Sequence, residues 1–275
     1  MRMFLARCAK RICELFPRPT HYVAVEVPVV QSSLLNGRTA FITGGAGGIG
    51  FAIAKAFLSA GASVIIAGRA REKLDRAVHE LQIYGKVSSV VLDVTKPNLF
   101  ADTIFAAGEF DILVNNAGFV SASLFGRTGV DEYDKVMETN LRGAYFVSQV
   151  VSNHWIANHV KGNILNICSA SSLRPGNTPY ILSKWGLRSL TVGMAKELIK
   201  HNIVVNGIAP GCTNTPQFCD SANGDITNPA NPARRFVTMT EIAGLSVMLV
   251  SGLARMVVGD ILYVTGGAGV TTLDD

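Results

Sequence analysis

Charge is scarce in this sequence. Only 16% of its 275 residues are Asp, Glu, Lys or Arg, and no Lys/Arg block interleaved with aromatics occurs. The first fact excludes a highly charged disordered chain, and the second a nucleic-acid-binding stripe. Cysteine pairs are also missing. Cys8, Cys13, Cys168, Cys212 and Cys219 are scattered, with no CxxC among them. An odd, unpaired set argues against a disulfide framework and against a zinc site, and fits a reducing, cytoplasmic setting. No apolar run reaches the roughly 18 residues that a membrane-spanning helix needs. What remains is 48% hydrophobic residues and a formal charge of +5, enough to bury a large core and mildly attractive to a polyanion.

The first 36 residues read differently from the rest. MRMFLARCAKRICELF places Phe4, Leu5, Cys8, Ile12, Leu15 and Phe16 on one helical face and Arg2, Arg7, Lys10 and Arg11 largely on the other, before Pro17 and Pro19 stop it. Three readings stand: an arm packing on the core or a neighbouring subunit, a membrane-surface helix, or a cleaved Arg-rich targeting segment. A secretory signal does not fit, because charges interrupt the apolar run. From residue 37 to 275 the chain alternates. Short β-branched runs (TAFIT, SVIIA, SSVVL, DILVN, NILNI, IVVNGIA, ILYV) are separated by helical patterns such as GFAIAKAFLSAG and SKWGLRSLTVGMAKELIK. Seven strands with intervening helices predict one α/β domain, a doubly wound, mainly parallel Rossmann sheet with helices on both faces.

TGGAG occurs twice, at Thr43–Gly47 and Thr265–Gly269. The first copy follows a predicted strand and leads into a predicted helix. That order offers free N–H groups and a helix dipole to a pyrophosphate, with glycine allowing close approach. The second copy follows the last predicted strand with too little chain left for a helix, so it reads as a turn. Around the first copy the spacing is Thr43-Gly44-x-x-x-Gly48-Ile49-Gly50. This resembles the TGxxxGxG signature of the short-chain dehydrogenases/reductases, and the resemblance extends over about residues 37–270.

Tyr180 and Lys184, in TPYILSKWG, stand four apart and share one helical face. A free phenol has a pKa near 10. A neighbouring ammonium favours the phenolate, so the pair can give a proton to a carbonyl oxygen or take one from an alcohol. Ser169 lies at the end of the predicted strand NILNI, where a hydroxyl can steady a substrate oxygen. Its distance from Tyr180 is shorter than the commonest family spacing, which keeps Ser171 and Ser172 as alternatives. The resemblance implies that Asn140, in VMETNLRG, is the fourth catalytic member, holding a water that links Lys184 to solvent.

The resemblance also implies a dinucleotide site. Its members here are Thr43, Gly44, Gly48, Ile49 and Gly50; Asp93 and Val94 at the adenine; Asn116, Ala117 and Gly118 of the NNAG run that begins at Asn115; Lys184 on the nicotinamide ribose; and Pro210, Gly211, Thr213 and Thr215 near the nicotinamide amide. The second predicted strand ends in SVIIAGRAREKL with no carboxylate to bind a ribose 2′-hydroxyl, and Arg69 stands there instead. A guanidinium suits a 2′-phosphate, so NADP(H) is expected over NAD(H). Gly47 departs from this, because many NADP-preferring relatives carry a cation at that position. No metal site is expected. The implied reaction interconverts a small-molecule carbonyl and a secondary alcohol. A cofactor-binding sensor without turnover, and an epimerase or dehydratase, are the alternatives. QFCDSANGDITNPANPARRF reads as a mobile substrate loop. TEIAGLSVMLVSGLA and ILYV resemble the family's subunit contact, implying a homodimer or homotetramer.

Overall fold

The computed structural model describes residues 33–121, 123–215 and 225–269. The amphipathic reading of residues 1–16 therefore lies outside the described residues, as does the stretch 217–224 of the expected mobile loop. Residues 33–36, grouped with the arm by sequence, pack against the domain. Leu35 is fully buried, and its N–H donates to the Ala60 carbonyl at 2.9 Å.

All seven predicted strands are present: β1 Thr39–Thr43, β2 Ser63–Gly68, β3 Val87–Val91, β4 Ile112–Asn115, β5 Asn163–Ile167, β6 Val204–Pro210 and β7 Ile261–Val264. They form one sheet in the order β3-β2-β1-β4-β5-β6-β7, parallel throughout. The helices are α1 Gly48–Ser59, α2 Arg71–Leu81, α3 Phe100–Ala106, α4 Val130–Met137, α5 Gly143–Ala157, α6 Pro179–Leu198 and α7 Met239–Val250. Strand side chains alternate between faces, and the core divides accordingly. Ala40, Ile42, Val114 and Leu165 pack against α1, α2 and α7. Phe41, Leu113, Ile164 and Val205 pack against α3, α5 and α6. Each fully buried large side chain, such as Phe57 or Trp155, contributes roughly 1.5–3 kcal/mol. The order reverses between β1 and β4, so the crevice beyond their carboxyl ends is where such a sheet holds a ligand.

The second TGGAG is a turn, as expected. Gly266, Gly267 and Gly269 have positive φ, and the turn is fastened by Asn231 Nδ2 donating to the Thr265 carbonyl at 2.9 Å. Nearby, α7 opens with a capping box. Thr238 Oγ1 accepts the Glu241 N–H at 3.2 Å, Glu241 Oε2 accepts the Thr238 N–H at 2.8 Å, and Arg235 grips the same carboxylate with two hydrogen bonds of 2.9 and 2.6 Å. The Arg235 hydrogen bonds, opposed by burial and aided by Thr238, pull the Glu241 pKa down to about 2. A lowered folded-state pKa stabilises above the ordinary carboxylate range, and that contribution is lost as pH falls toward 2. Glu241→Gln is therefore expected to lower Tm at pH 7, with the gap to wild type closing between about pH 4.5 and pH 2. A gap that stays constant on acidification would remove Glu241 from the acid response.

Candidate active site

The first TGGAG joins β1 to α1. Helix α1 begins after Gly47, which offers no side-chain cap, so the first-turn N–H groups at Gly48, Ile49 and Gly50 remain available to a ligand. Two glycines are required by geometry. Gly44 has φ +67°. A Cβ on Gly50 would lie 2.4 Å from both Asn116 Nδ2 and the Gly44 carbonyl oxygen, so no side chain fits there. Thr43 and Asn116 explain why the two loops meet. Thr43 Oγ1 donates to the Val114 carbonyl at 3.2 Å and accepts the N–H groups of Asn116 and Ala117 at 3.0 and 3.1 Å. Asn116 Nδ2 in turn donates to the Thr43 and Gly44 carbonyls, both at 3.0 Å. The turns after β1 and β4 are thus stitched into one rim.

A groove opens at that rim. Its lining includes Thr43, Gly44, Arg69, Asp93, Val94, Ala117 and Gly118, together with Phe119, Lys135 and Thr139. Seven predicted cofactor residues therefore share one concavity. Gly48, Ile49, Gly50, Asn116 and Lys184 do not line it, and neither do Pro210, the last residue of β6, or Gly211, Thr213 and Thr215 beyond it. There Thr213 bridges to Val237, and the Thr215 hydroxyl is buried without a hydrogen-bond partner among the described residues. Asp93 turns the chain after β3 by accepting the Thr95 N–H and hydroxyl at 3.0 and 2.9 Å. The uncapped helix, the glycine cradle and the exposed Arg69 side chain fit a dinucleotide. Sequence reading passed over Phe119, Lys135 and Thr139. Their place in the groove comes from how the chain after β4 packs beside the Asn140 turn, which spacing in the sequence does not show.

Helix α6 starts where the sequence sets it. Thr178 Oγ1 accepts the Ile181 N–H at 3.3 Å, and Pro179 occupies the first turn. Tyr180 is half-buried and Lys184 is 5% exposed. The ammonium nitrogen is 5.9 Å from the Tyr180 ring centre and donates to the Ile167 carbonyl at 2.8 Å. Lysine carries three donors, so this bond fixes the head while leaving others for a ligand. Ser169 stands two residues past the end of β5 and caps the short turn Ala170–Leu173, its Oγ accepting the Ser171 N–H at 3.1 Å. Ser172 is fully buried and its hydroxyl is committed to the Ser169 carbonyl at 2.7 Å. Burial, opposed by the Lys184 charge, pushes the Cys168 thiol up, so this neighbour is a packed neutral group.

Asn140 was expected within a continuous helix. It sits instead in a π-helical turn, Glu138–Arg142, between α4 and α5, a distortion frequent at functional sites. Its amide clamps one residue. Oδ1 accepts the Phe119 N–H at 2.7 Å, while Nδ2 donates to the Phe119 carbonyl at 2.9 Å and to Ser183 Oγ at 3.1 Å. A Cβ on Gly118 would come 3.6 Å from Asn140 Oδ1 and 4.0 Å from Lys184 Nζ. Asn140, Gly118 and Lys184 therefore converge. No cluster of groups suited to a metal ion occurs among the described residues, nor does a helix long and apolar enough to cross a membrane.

The same stretch of chain is matched in known proteins. The family model described as short chain dehydrogenase matches residues 38–224. The chain is 36% identical over 248 residues to a gluconate 5-dehydrogenase of Gluconobacter oxydans, covering 86% of this chain and 96% of that one. It is 34% identical over 242 residues to a 3-oxoacyl-(acyl-carrier-protein) reductase of Thermotoga maritima, covering 85% and 98%. The crystal structure of a gluconate 5-dehydrogenase from Burkholderia cenocepacia in complex with NADP and tartrate superposes with a TM-score of 0.79 at 33% identity, covering 88% of this chain and 99% of that one. The chain belongs to the short-chain dehydrogenase/reductase family and is an NAD(P)-dependent oxidoreductase acting on CH–OH and C=O groups.

Proposed function

We propose that this protein is an NADP(H)-dependent enzyme that interconverts a carbonyl and a secondary alcohol, with Tyr180 as general acid and base. The observation that carries the reading is the convergence of Lys184, Asn140 and Gly118 beside the Tyr180 ring at the carboxyl edge of the sheet. The dinucleotide is held by Thr43, Gly44, Gly48, Ile49 and Gly50 at its phosphates, by Asp93, Val94, Asn116, Ala117 and Gly118 along the adenosine, and by Lys184, Pro210, Gly211, Thr213 and Thr215 toward the nicotinamide. When bound, it supplies or accepts the two electrons of the redox change.

The chain's own residues handle the oxygen and the proton. Ser169 Oγ accepts from the Ser171 N–H, which leaves its hydroxyl proton to donate to the substrate oxygen and hold the carbonyl in line. In the reductive direction Tyr180 gives its phenolic proton to that oxygen, and in the oxidative direction it takes the proton back. Lys184, anchored on Ile167, balances the charge that appears on the phenol. Asn140 keeps the route from Lys184 to solvent in place through its hold on Phe119. The guanidinium of Arg69 reads the 2′-phosphate. Leu253, Met256 and Val258, exposed between α7 and β7, support self-association as a homodimer or homotetramer. The free cysteines Cys168 and Cys212 support a cytoplasmic setting.

Relatives named for gluconate and for 3-oxoacyl-(acyl-carrier-protein) suggest the first substrate panel, keto-sugar acids and β-keto thioesters, each with NADPH and NADH. The expected result is oxidation of NADPH, selective over NADH, with one of these ketone classes. Tight cofactor binding with no turnover on any ketone or aldehyde would favour a sensor and overturn the reading.

A further inference from the structure

Two asparagines stand where the face of the sheet under α5 and α6 calls for apolar residues. Leu113 and Ile164 point to that face and are buried in its core. Alternation along β4 and β5 sends Asn115 and Asn166 the same way, and the strand register pairs them directly. Asn166 is fully buried and Asn115 is 4% exposed. A buried amide is costly unless its hydrogen bonds are made, and most are made here, as a directed chain. Asn115 Nδ2 donates to Ser148 Oγ on α5 and to Asn166 Oδ1, both at 2.8 Å. Asn166 Nδ2 donates to Thr191 Oγ1 on α6 at 2.9 Å. The Thr191 hydroxyl gives its proton to the Leu187 carbonyl at 2.7 Å, so it receives Asn166 as an acceptor. Ser148 and Thr191 are fully buried, which makes water a poor substitute for either.

The chain ends on the helix that carries Tyr180 and Lys184. Lys184 reaches β5 at the Ile167 carbonyl, and Ile167 is the neighbour of Asn166 in the strand. Consecutive β5 residues therefore fasten α6 at two points. One is made by the lysine itself; the other, Asn166 to Thr191, lies two helical turns further along. The lysine bond holds only if α6 keeps its distance from β5, and the buried amide–hydroxyl bond fixes that distance without touching a ligand. We propose that Asn166 and Thr191 are positioning residues that seat α6 on β5 and so hold the Lys184 ammonium on the Ile167 carbonyl beside Tyr180. The proposal rests on the roles given to Tyr180 and Lys184 above.

The test is Thr191→Val, which removes the hydroxyl at nearly constant volume, with Thr191→Ser as rescue. Thr191→Ala is the second variant, should the valine protein fail to fold, and the same loss of kcat and the same withdrawal of Lys184 are expected of it. NADPH oxidation, NADPH binding by nicotinamide fluorescence, and a crystal structure are read for each. In Thr191→Val, kcat is expected to fall about 10- to 100-fold, with a smaller rise in cofactor Kd because Lys184 also holds the dinucleotide. Lys184 Nζ is expected to withdraw beyond hydrogen-bond distance from the Ile167 carbonyl, and Thr191→Ser to restore both. Wild-type kcat with Lys184 still in place overturns the proposal, however far Tm has dropped. If wild-type turnover proves independent of Tyr180, the functional reading has failed, and the Lys184 position in the crystal structure alone decides whether Thr191 seats the helix.

Discussion

Tyr180→Phe is expected to lower kcat for carbonyl reduction by about 10²- to 10⁴-fold, the usual contribution of a positioned general acid. The substitution removes one oxygen and leaves the ring. Helix α6 keeps its start, because the Thr178 cap and Pro179 do not depend on the phenol. Lys184 keeps its bond to the Ile167 carbonyl, and the glycine rim is untouched. Cofactor Kd should therefore hold while kcat and kcat/KM fall together, the signature of an interaction made in the transition state rather than in binding. Stopped-flow single turnovers with NADPH separate the chemical step from product release. A variant that keeps near-wild-type turnover would mean that the proton comes from elsewhere, and Ser169 would be the next group to remove. A variant that loses cofactor binding as well would point to damage of the site rather than loss of an acid.

Periodicity made the fold legible. Each β-branched run of the sequence became a strand, because a parallel sheet covered on both faces needs nearly continuous apolar strands. The two glycine stretches were also separable, since only the first is followed by a helix with an open N-terminus. The geometry of the candidate site was legible where it depends on local spacing, as with Tyr180 and Lys184 on one helical face. It was less so where the role depends on packing. The π turn around Asn140 has no compositional signal, because VMETNLRG reads as ordinary helix. Phe119 and Lys135 line the groove only because the chain after β4 folds back under the Asn140 amide. The Asn115–Asn166 pair was visible as two asparagines near strand ends, but their register and common face come from the sheet. Among Ser169, Ser171 and Ser172 the coordinates bear on Ser172, whose buried hydroxyl is already committed to the Ser169 carbonyl.

The second large effect concerns Arg69. Strand β2 ends at Gly68 and the guanidinium stands at the lip of the groove, exposed, with Asp93 on the same wall. Asp93 is turned toward Thr95, whose N–H and hydroxyl its Oδ1 accepts, so it does not pair with the arginine. A 2′-phosphate would meet a cation here, whereas a ribose 2′-hydroxyl would find no carboxylate at the strand end to accept from it. Hydrogen bonds to charged groups contribute about 1.5–3 kcal/mol, so Arg69→Ala should cut kcat/KM for NADPH by roughly 10- to 150-fold and leave NADH little changed. Arg69→Asp should invert the preference, by repelling the phosphate and offering the 2′-hydroxyl an acceptor. Because the site is exposed, the NADPH advantage should also shrink as salt is raised. An equal loss for both cofactors would show that the guanidinium stacks on adenine and does not read the phosphate. Lys135, held over the Phe119 ring at 4.3 Å in the same groove, would then be the remaining cation to test.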